Sequence, residues 1–169
     1  LIFDIGTGSG CVAVAIAHER EDAVLIGSDV STKALSLAQK NIDRNHVAVE
    51  LRPGPDLEPV SKTEAGAVDL IVSNPPYIAT SALDRVDAHV LDYEPQDALL
   101  AGPDGLEVIC RLIAQAPRVL RPGGWLVFEL DPLQVEPVQK LLEQQGDYVS
   151  ITFREDLAHR LRAAVAQRI

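Results

Sequence analysis

The tetrapeptide Asn74-Pro75-Pro76-Tyr77 combines groups suited to holding a flat ligand that donates N–H groups. Proline supplies no N–H and fixes its own φ, so this segment, called the hook below, is stiff and presents carbonyl oxygens, an amide and an aromatic ring. An amide or exocyclic amine nitrogen is a poor nucleophile because its lone pair is delocalised, so it must be oriented. The Asn74 side-chain oxygen and the Pro75 carbonyl can accept its two N–H groups while Tyr77 packs on the flat group. The alternative interpretation is a rigid structural turn.

A second candidate segment follows the first apolar run of the chain. In Asp4-Ile5-Gly6-Thr7-Gly8-Ser9-Gly10 an acidic residue precedes three glycines at two-residue intervals, here called the glycine turn. Glycine lets the backbone approach a ligand closely. The spacing differs from the dinucleotide pattern GxGxxG, and no Lys or Arg flanks the turn, so phosphate binding is not indicated. The alternative is a tight turn with a purely structural role.

Asp29 ends the next apolar run, 19 positions after Gly10. An acidic side chain at this place can accept hydrogen bonds from both hydroxyls of a ribose. It can also favour the dipole of the helix that follows, and the two roles are compatible. Together with the glycine turn, Asp29 predicts a nucleoside ligand.

Alternating strands and helices position these segments. Apolar runs predict strands at 1–5, 23–29, 47–51, 67–73, 125–130 and 148–153, and helical spacing predicts helices that begin near residues 11, 32, 105 and 133. Such alternation is typical of a doubly wound parallel sheet, whose ligands bind at the carboxyl ends of the strands. The glycine turn and the hook follow strands, and Asp29 ends one. Irregular sequence at 79–104 predicts a long loop, RPGG at 121–124 predicts a turn, and the composition of 161–167 favours a helix.

Composition limits the classes of function. A chain of 169 residues fits one domain, 1–169, and no apolar run approaches the roughly 20 residues that span a bilayer, so no membrane association is expected. The net charge of −10 disfavours a stable nucleic-acid interface. Cys11 and Cys110 are far apart and the histidines lack metal-ligand spacing, which predicts reduced thiols and no metal site. No signal peptide is visible, so a cytoplasmic location is expected.

The glycine turn, the ribose-binding acid and the hook, in this order, resemble the S-adenosylmethionine-dependent methyltransferases that methylate planar amino groups. The runs "DLIVSNPPYI" and "YEPQDALLAGPDGLEVICRLIAQAPRVLRPGGWLVFEL", together with Gln134 and Asp156, resemble the HemK/PrmC family of release-factor glutamine methyltransferases. The resemblance covers essentially the whole chain. It implies the class I, Rossmann-like α/β fold, with a seven-stranded, mostly parallel sheet, helices on both faces and an antiparallel last strand. Residues 161–167 are therefore expected to form that strand, against their helical propensity.

The resemblance also implies an activity, which is methylation of the side-chain amide of the glutamine in the Gly-Gly-Gln motif of peptide-chain release factors, with S-adenosyl-L-methionine as cofactor. Release factors act in translation termination, so the expected partner is a release factor. The catalytic residues implied are Asn74, Pro75 and Tyr77, and with Pro76 they form the substrate site. The cofactor residues implied are Asp4, Gly6, Thr7, Gly8, Gly10, Asp29 and Asn74.

Some positions depart from the family pattern or remain open. The family's small N-terminal helical domain is absent from this sequence, and the chain has no methionine, so we expect a fragment. Pro55 leaves the role of Asp56 as an adenine contact open, and Glu94-Pro95 is expected to be substrate-side or structural. Two alternatives remain: an N⁶-adenine or N²-guanine methyltransferase acting on nucleic acid, and a non-catalytic module that binds S-adenosylmethionine.

Overall fold

The apolar runs form seven strands of one sheet, in the order β3-β2-β1-β4-β5-β7-β6, in a computed structural model that describes residues 1–81 and 99–169. The strands are β1 (Ile2–Ile5), β2 (Leu25–Asp29), β3 (Glu50–Pro53), β4 (Val68–Ser73), β5 (Leu120–Glu129), β6 (Tyr148–Glu155) and β7 (Leu161–Arg168). The chain winds outward from β1 to β3 and then returns to β4 on the other side of β1. The strand order therefore switches between β1 and β4, the place where ligands bind in such sheets.

Helices cover both faces of the sheet. The helices are α1 (Cys11–Glu19), α2 (Thr32–Asn45), α3 (Glu107–Gln115) and α4 (Val135–Gln145). Because alternate strand residues face opposite sides, Ile2 packs with Ala13 of α1, whereas Phe3 belongs to the cluster that contains Leu112 of α3 and Val138 of α4. All residues of β1 are buried, as expected for a parallel strand covered on both faces.

The last strand confirms the expectation drawn from the family. β7 is antiparallel to both β5 and β6, and its residues Ala164 and Ala166 are fully buried. Alanine and arginine favour a helix in isolation, but the hydrogen bonds to two neighbouring strands outweigh this small local preference.

Two sequence-based boundaries were wrong. The third strand is Glu50–Pro53 rather than 47–51, and it ends on a proline because β3 is an edge strand, where a missing N–H is tolerated. The RPGG segment is not a turn before β5 but part of it, and the pairing of β4 with β5 shifts register between Val68 and Leu70. An irregularity of this kind accommodates the extra residues within a strand.

No helix within 1–81 and 99–169 has both the length and the apolarity needed to cross a membrane.

Candidate functional site

Three neighbouring strands end at the same level of the sheet, and each leads into a predicted site segment. Ile5 at the end of β1 is paired with Ser28 of β2 on one side and with Ser73 of β4 on the other. The Ser73 hydroxyl also donates a hydrogen bond to the Ile5 carbonyl, with an O···O distance of 2.7 Å. Adjacent strands lie about 4.8 Å apart, so the residues that directly follow Ile5, Ser28 and Ser73 reach the same small region. These residues are Gly6, Asp29 and Asn74.

The Asp4 carboxylate holds the glycine turn against the start of α1. Asp4 Oδ2 accepts a hydrogen bond from the Thr7 hydroxyl at 2.6 Å and one from the Ala13 backbone N–H at 3.2 Å. Asp4 is only 1% exposed. Burial raises its pKa from 3.8 to about 6, with a smaller contribution from the nearby Asp29, although the two hydrogen bonds oppose the rise. Asp4 and Thr7 thus shape the turn from beneath.

The surroundings of the glycines in the turn differ from one position to the next. Gly6 and Gly8 have φ of +67° and +57°, and a side chain at Gly6 would meet nothing within 4 Å among the described residues. Their backbone therefore faces open space that a ligand can fill. Gly10 is buried, and a Cβ there would lie 3.1 Å from Cβ of Ala38 in α2. Close packing of α1 on α2 accounts for Gly10, and its assignment to the cofactor remains a prediction.

Asp29 is half-buried, and each of its carboxylate oxygens accepts one hydrogen bond from the residues that the structure describes. Oδ2 accepts the Gly8 backbone N–H at 2.9 Å, and Oδ1 accepts the Ser31 backbone N–H at 2.8 Å. It therefore fixes the glycine turn and stabilises the start of α2, whose N-cap is Ser31. A carboxylate offers about four acceptor positions, so two remain for the adjacent hydroxyls of a ribose. The structural and the binding interpretation of Asp29 are compatible.

The hook directs one polar side chain outward and anchors the rest. Asn74 is exposed and Pro75 is buried. Within 1–81 and 99–169, no residue forms a hydrogen bond with the Asn74 side chain. Tyr77 is half-buried, and its hydroxyl donates to Glu129 Oε1 at 2.8 Å. Burial and this hydrogen bond raise the pKa of Tyr77 to about 12, so its hydroxyl keeps its proton at neutral pH.

The sequence pattern that defines the methyltransferase small domain family matches residues 1–99, a span that includes the glycine turn, Asp29 and the hook. The chain belongs to this family. The match links the three features as parts of one methyltransferase domain, in agreement with their meeting at one edge of the sheet.

Curated relatives of this chain have names that are more specific than the name of the family. A protein of Geobacter sulfurreducens named release factor glutamine methyltransferase is 42% identical over 145 residues, which are 86% of this chain and 50% of the relative. A protein of the same name from Rhodopirellula baltica is 37% identical over 169 residues, which are 99% of this chain and 56% of the relative. The chain thus spans about half the length of the curated relatives it matches.

Comparison with solved structures supports the fold. The structure of a T. thermophilus 16S rRNA N2 G1207 methyltransferase in complex with AdoMet and guanosine matches with a TM-score of 0.71 and 22% identity, over 99% of this chain and 37% of that chain. The methyltransferase domain described here therefore has the class I fold, with a mixed sheet whose last strand is antiparallel.

Two neighbours of Asp29 in this methyltransferase domain were missed from the sequence. Val30 follows Asp29 and has 68% of its surface exposed, so it offers an apolar surface beside the predicted ribose site. Ser28 is fully buried, and its hydroxyl has no partner among the described residues, which is unusual at the end of a strand. An apolar residue directly after the strand-ending acid was the available signal for Val30. No sequence signal distinguishes Ser28.

Asp56 has a partner within the protein. Its carboxylate lies 2.7 Å from Nε of Arg111, so it ties the loop after β3 to α3. This contact gives Asp56 a structural role and leaves an adenine contact without support. Glu94 and Pro95 lie outside the described residues.

Proposed function

We propose that this domain transfers a methyl group from S-adenosyl-L-methionine to the side-chain amide nitrogen of the glutamine in the Gly-Gly-Gln motif of peptide-chain release factors. The observation that carries the proposal is the hook, which leaves β4 beside the glycine turn and presents an exposed Asn74 amide next to the Pro75 carbonyl. The names of the relatives at 37% and 42% identity point to the same reaction.

The residues at the strand ends fit the cofactor. The open backbone at Gly6 and Gly8 would hold its methionine part, and the free acceptor positions of Asp29 would take its ribose hydroxyls. Val30 adds an exposed apolar surface at the same place. When bound, S-adenosyl-L-methionine supplies an electrophilic methyl group on a sulfonium sulfur.

The hook would orient the substrate amide. A primary amide has two N–H hydrogens, and the Asn74 side-chain oxygen and the Pro75 carbonyl would accept one each. This arrangement fixes the plane of the amide and directs the face of its nitrogen toward the methyl group, which lowers the barrier by orientation. On transfer, the nitrogen would bond to the methyl carbon as the bond from that carbon to the sulfonium sulfur breaks, and one of the two amide hydrogens would leave as a proton to solvent. The proposal assigns no general base to the hook, since its groups are hydrogen-bond acceptors and a tyrosine that stays protonated.

The charge of the chain favours a protein substrate over nucleic acid. With a net charge of −10, the domain lacks the excess of Lys and Arg that backbone binding requires. The likeness to an rRNA methyltransferase, at 22% identity, extends to the fold alone. Because release factors work on ribosomes during translation termination, we place the proposed activity in the cytoplasm.

A methyl-transfer assay tests the proposal. The purified protein that contains this chain is incubated with labelled S-adenosyl-L-methionine and either a release factor, its Gly-Gly-Gln→Gly-Gly-Ala variant, or total RNA or DNA. Label on the wild-type factor alone is the expected result. Label on nucleic acid would instead establish the exocyclic-amine activity, and cofactor binding without any label would identify a non-catalytic binding module.

A further inference from the structure

Tyr77, the last residue of the hook, is held by hydrogen bonds at its side-chain hydroxyl and at its backbone carbonyl. Its hydroxyl donates to Glu129, and its backbone carbonyl accepts a hydrogen bond from Nε2 of Gln134 at 2.9 Å. Gln134 is 57 positions away in the chain and only 6% exposed. A buried glutamine at this position calls for an explanation, because glutamine is seldom buried unless its amide has partners.

The side chain of Gln134 is itself fixed by its own segment. Gln134 ends a 3₁₀ turn, Pro132–Gln134, and its Oε1 accepts the backbone N–H of Asp131 at 3.0 Å. The Asp131 carboxylate in turn accepts the backbone N–H of Leu133 at 2.9 Å. This reciprocal capping box orients the amide so that Nε2 points away from the turn and toward the hook.

The Nε2 group joins the hook to the segment before α3. Besides the Tyr77 carbonyl, it contacts the carbonyl of Gly105 at 3.1 Å and that of Asp104 at 3.4 Å. Gly105 has φ of +75°, and a Cβ there would lie 2.8 Å from Gln134 Nε2 and closer still to the Tyr77 carbonyl. Only glycine permits this approach, so three segments converge on one amide group.

The residues after the hook form hydrogen bonds with the same segment before α3. The Ile78 N–H donates to the Leu99 carbonyl at 2.9 Å, and the Ala101 N–H donates to the Ile78 carbonyl at 3.1 Å. The hydroxyls of Thr80 and Ser81 also donate to carbonyls of the segment before α3, at 3.1 and 3.0 Å. Among these side-chain contacts, the Gln134 amide is bonded to the hook itself, at the Tyr77 carbonyl. Removing its donor would take from the Tyr77 carbonyl the hydrogen bond that Gln134 supplies and would loosen the end of the hook.

We propose that Gln134 is a positioning residue for methyl transfer: by holding the Tyr77 carbonyl it fixes the orientation of the hook, and the partners of its amide within 1–81 and 99–169 are backbone groups. The inference rests on the proposed function for its catalytic consequence. A small error in the placement of an oriented nitrogen is costly, and a displacement of about 1 Å can lower a rate by about a hundredfold. Loosening the hook should therefore slow transfer more than it weakens binding of the cofactor.

The test compares Gln134→Met with Gln139→Met. Both changes remove an amide of the same size, but Gln139 lies on the exposed side of α4, where its amide donates to Glu143. We expect Gln134→Met to lower kcat on the release factor by about tenfold or more, with a cofactor Kd within about twofold of the wild type. Gln139→Met should change neither quantity. If Gln134→Met does not fold, Gln134→Glu serves as the second variant. It keeps an oxygen that accepts the Asp131 N–H, and it replaces the Nε2 donor with a carboxylate oxygen.

Hydrogen exchange supplies a readout that does not require activity. In Gln134→Met the peptide that contains residues 74–81 should exchange its amide hydrogens about tenfold faster than in the wild type, while Gln139→Met should match the wild type. Unchanged exchange would show that Gln134 does not hold the hook, and faster exchange with unchanged kcat per bound cofactor would overturn the positioning role. If the wild type methylates another acceptor, or none, the proposed function fails, and the exchange result alone still decides whether Gln134 holds the hook.

Discussion

Replacing Asp4 with asparagine should stabilise the protein above pH 6 and have much less effect near pH 4. Asp4 is buried beneath the glycine turn, and its pKa in the folded protein is about 6 rather than 3.8. Asparagine keeps a side-chain oxygen that can accept the hydrogen bonds of the Thr7 hydroxyl and the Ala13 N–H, but it carries no charge. The variant therefore removes the cost of burying a carboxylate while it keeps the contacts.

The sign and size of the effect follow from proton linkage. Below pH 3.8 the carboxyl is protonated in both the folded and the unfolded protein, so its ionisation does not affect stability. Between pH 3.8 and about 6 the folded protein binds more protons than the unfolded chain, so the free energy of unfolding falls as the pH rises. A rise in pKa from 3.8 to about 6 corresponds to about 3 kcal/mol, which is lost in full above pH 6.

Urea unfolding of the two proteins at a series of pH values from 4 to 8 measures the difference, with the fluorescence of Trp125 as one probe. Other carboxylates, such as Glu64 with its lowered pKa of about 2, titrate in both proteins and cancel in the comparison. Asp43→Asn, on the exposed side of α2, controls for the loss of one acidic residue. The free energy of unfolding of Asp4→Asn should exceed that of the wild type by an amount that grows by about 2.5 kcal/mol across this range, because part of the effect is already present at pH 4. A constant difference would refute the raised pKa of Asp4.

Three further substitutions test the site. Asp29→Ala should raise the cofactor Kd about tenfold to a hundredfold, because the two ribose hydrogen bonds proposed for Asp29 would be lost; calorimetry measures this, and an unchanged Kd would remove Asp29 from the proposed cofactor site. Asn74→Ala should lower kcat by a larger factor than it raises the cofactor Kd, and an unchanged kcat in steady-state assays would contradict the role of the hook. Gly10→Ala should lower the free energy of unfolding by about 1–3 kcal/mol, because φ is +79° and the new Cβ would crowd Ala38. Urea unfolding that matches the wild type would show that this contact relaxes at no cost.

Much of the site is predictable because its signals are local. The glycine turn and the hook each follow a strand, Asp29 ends one, and the side chains and backbone groups they offer indicate their chemistry without reference to distant residues. The antiparallel β7 was predictable only from the family, because the local propensity of its residues favours a helix and the pairing with β5 and β6 decides the outcome.

The remaining features depend on contacts between distant parts of the chain. Gln134 reaches Tyr77 only because the turn after β5 folds over the end of β4, and no spacing in the sequence indicates this. The raised pKa of Asp4 depends on burial, which a sequence pattern does not specify. The irregularity in β5 depends on its register with β4, so RPGG suggested a turn from its composition alone.

Localising the transferred methyl group tests the central claim most directly. The release factor, after incubation with the protein and S-adenosyl-L-methionine, is digested and sequenced by tandem mass spectrometry. The proposed function predicts the added mass of one methylene group on the side chain of the Gly-Gly-Gln glutamine, at a level that falls sharply with Asn74→Ala. Methylation at any other residue of the factor, or equal methylation by Asn74→Ala, would contradict the claim that the hook orients this glutamine amide.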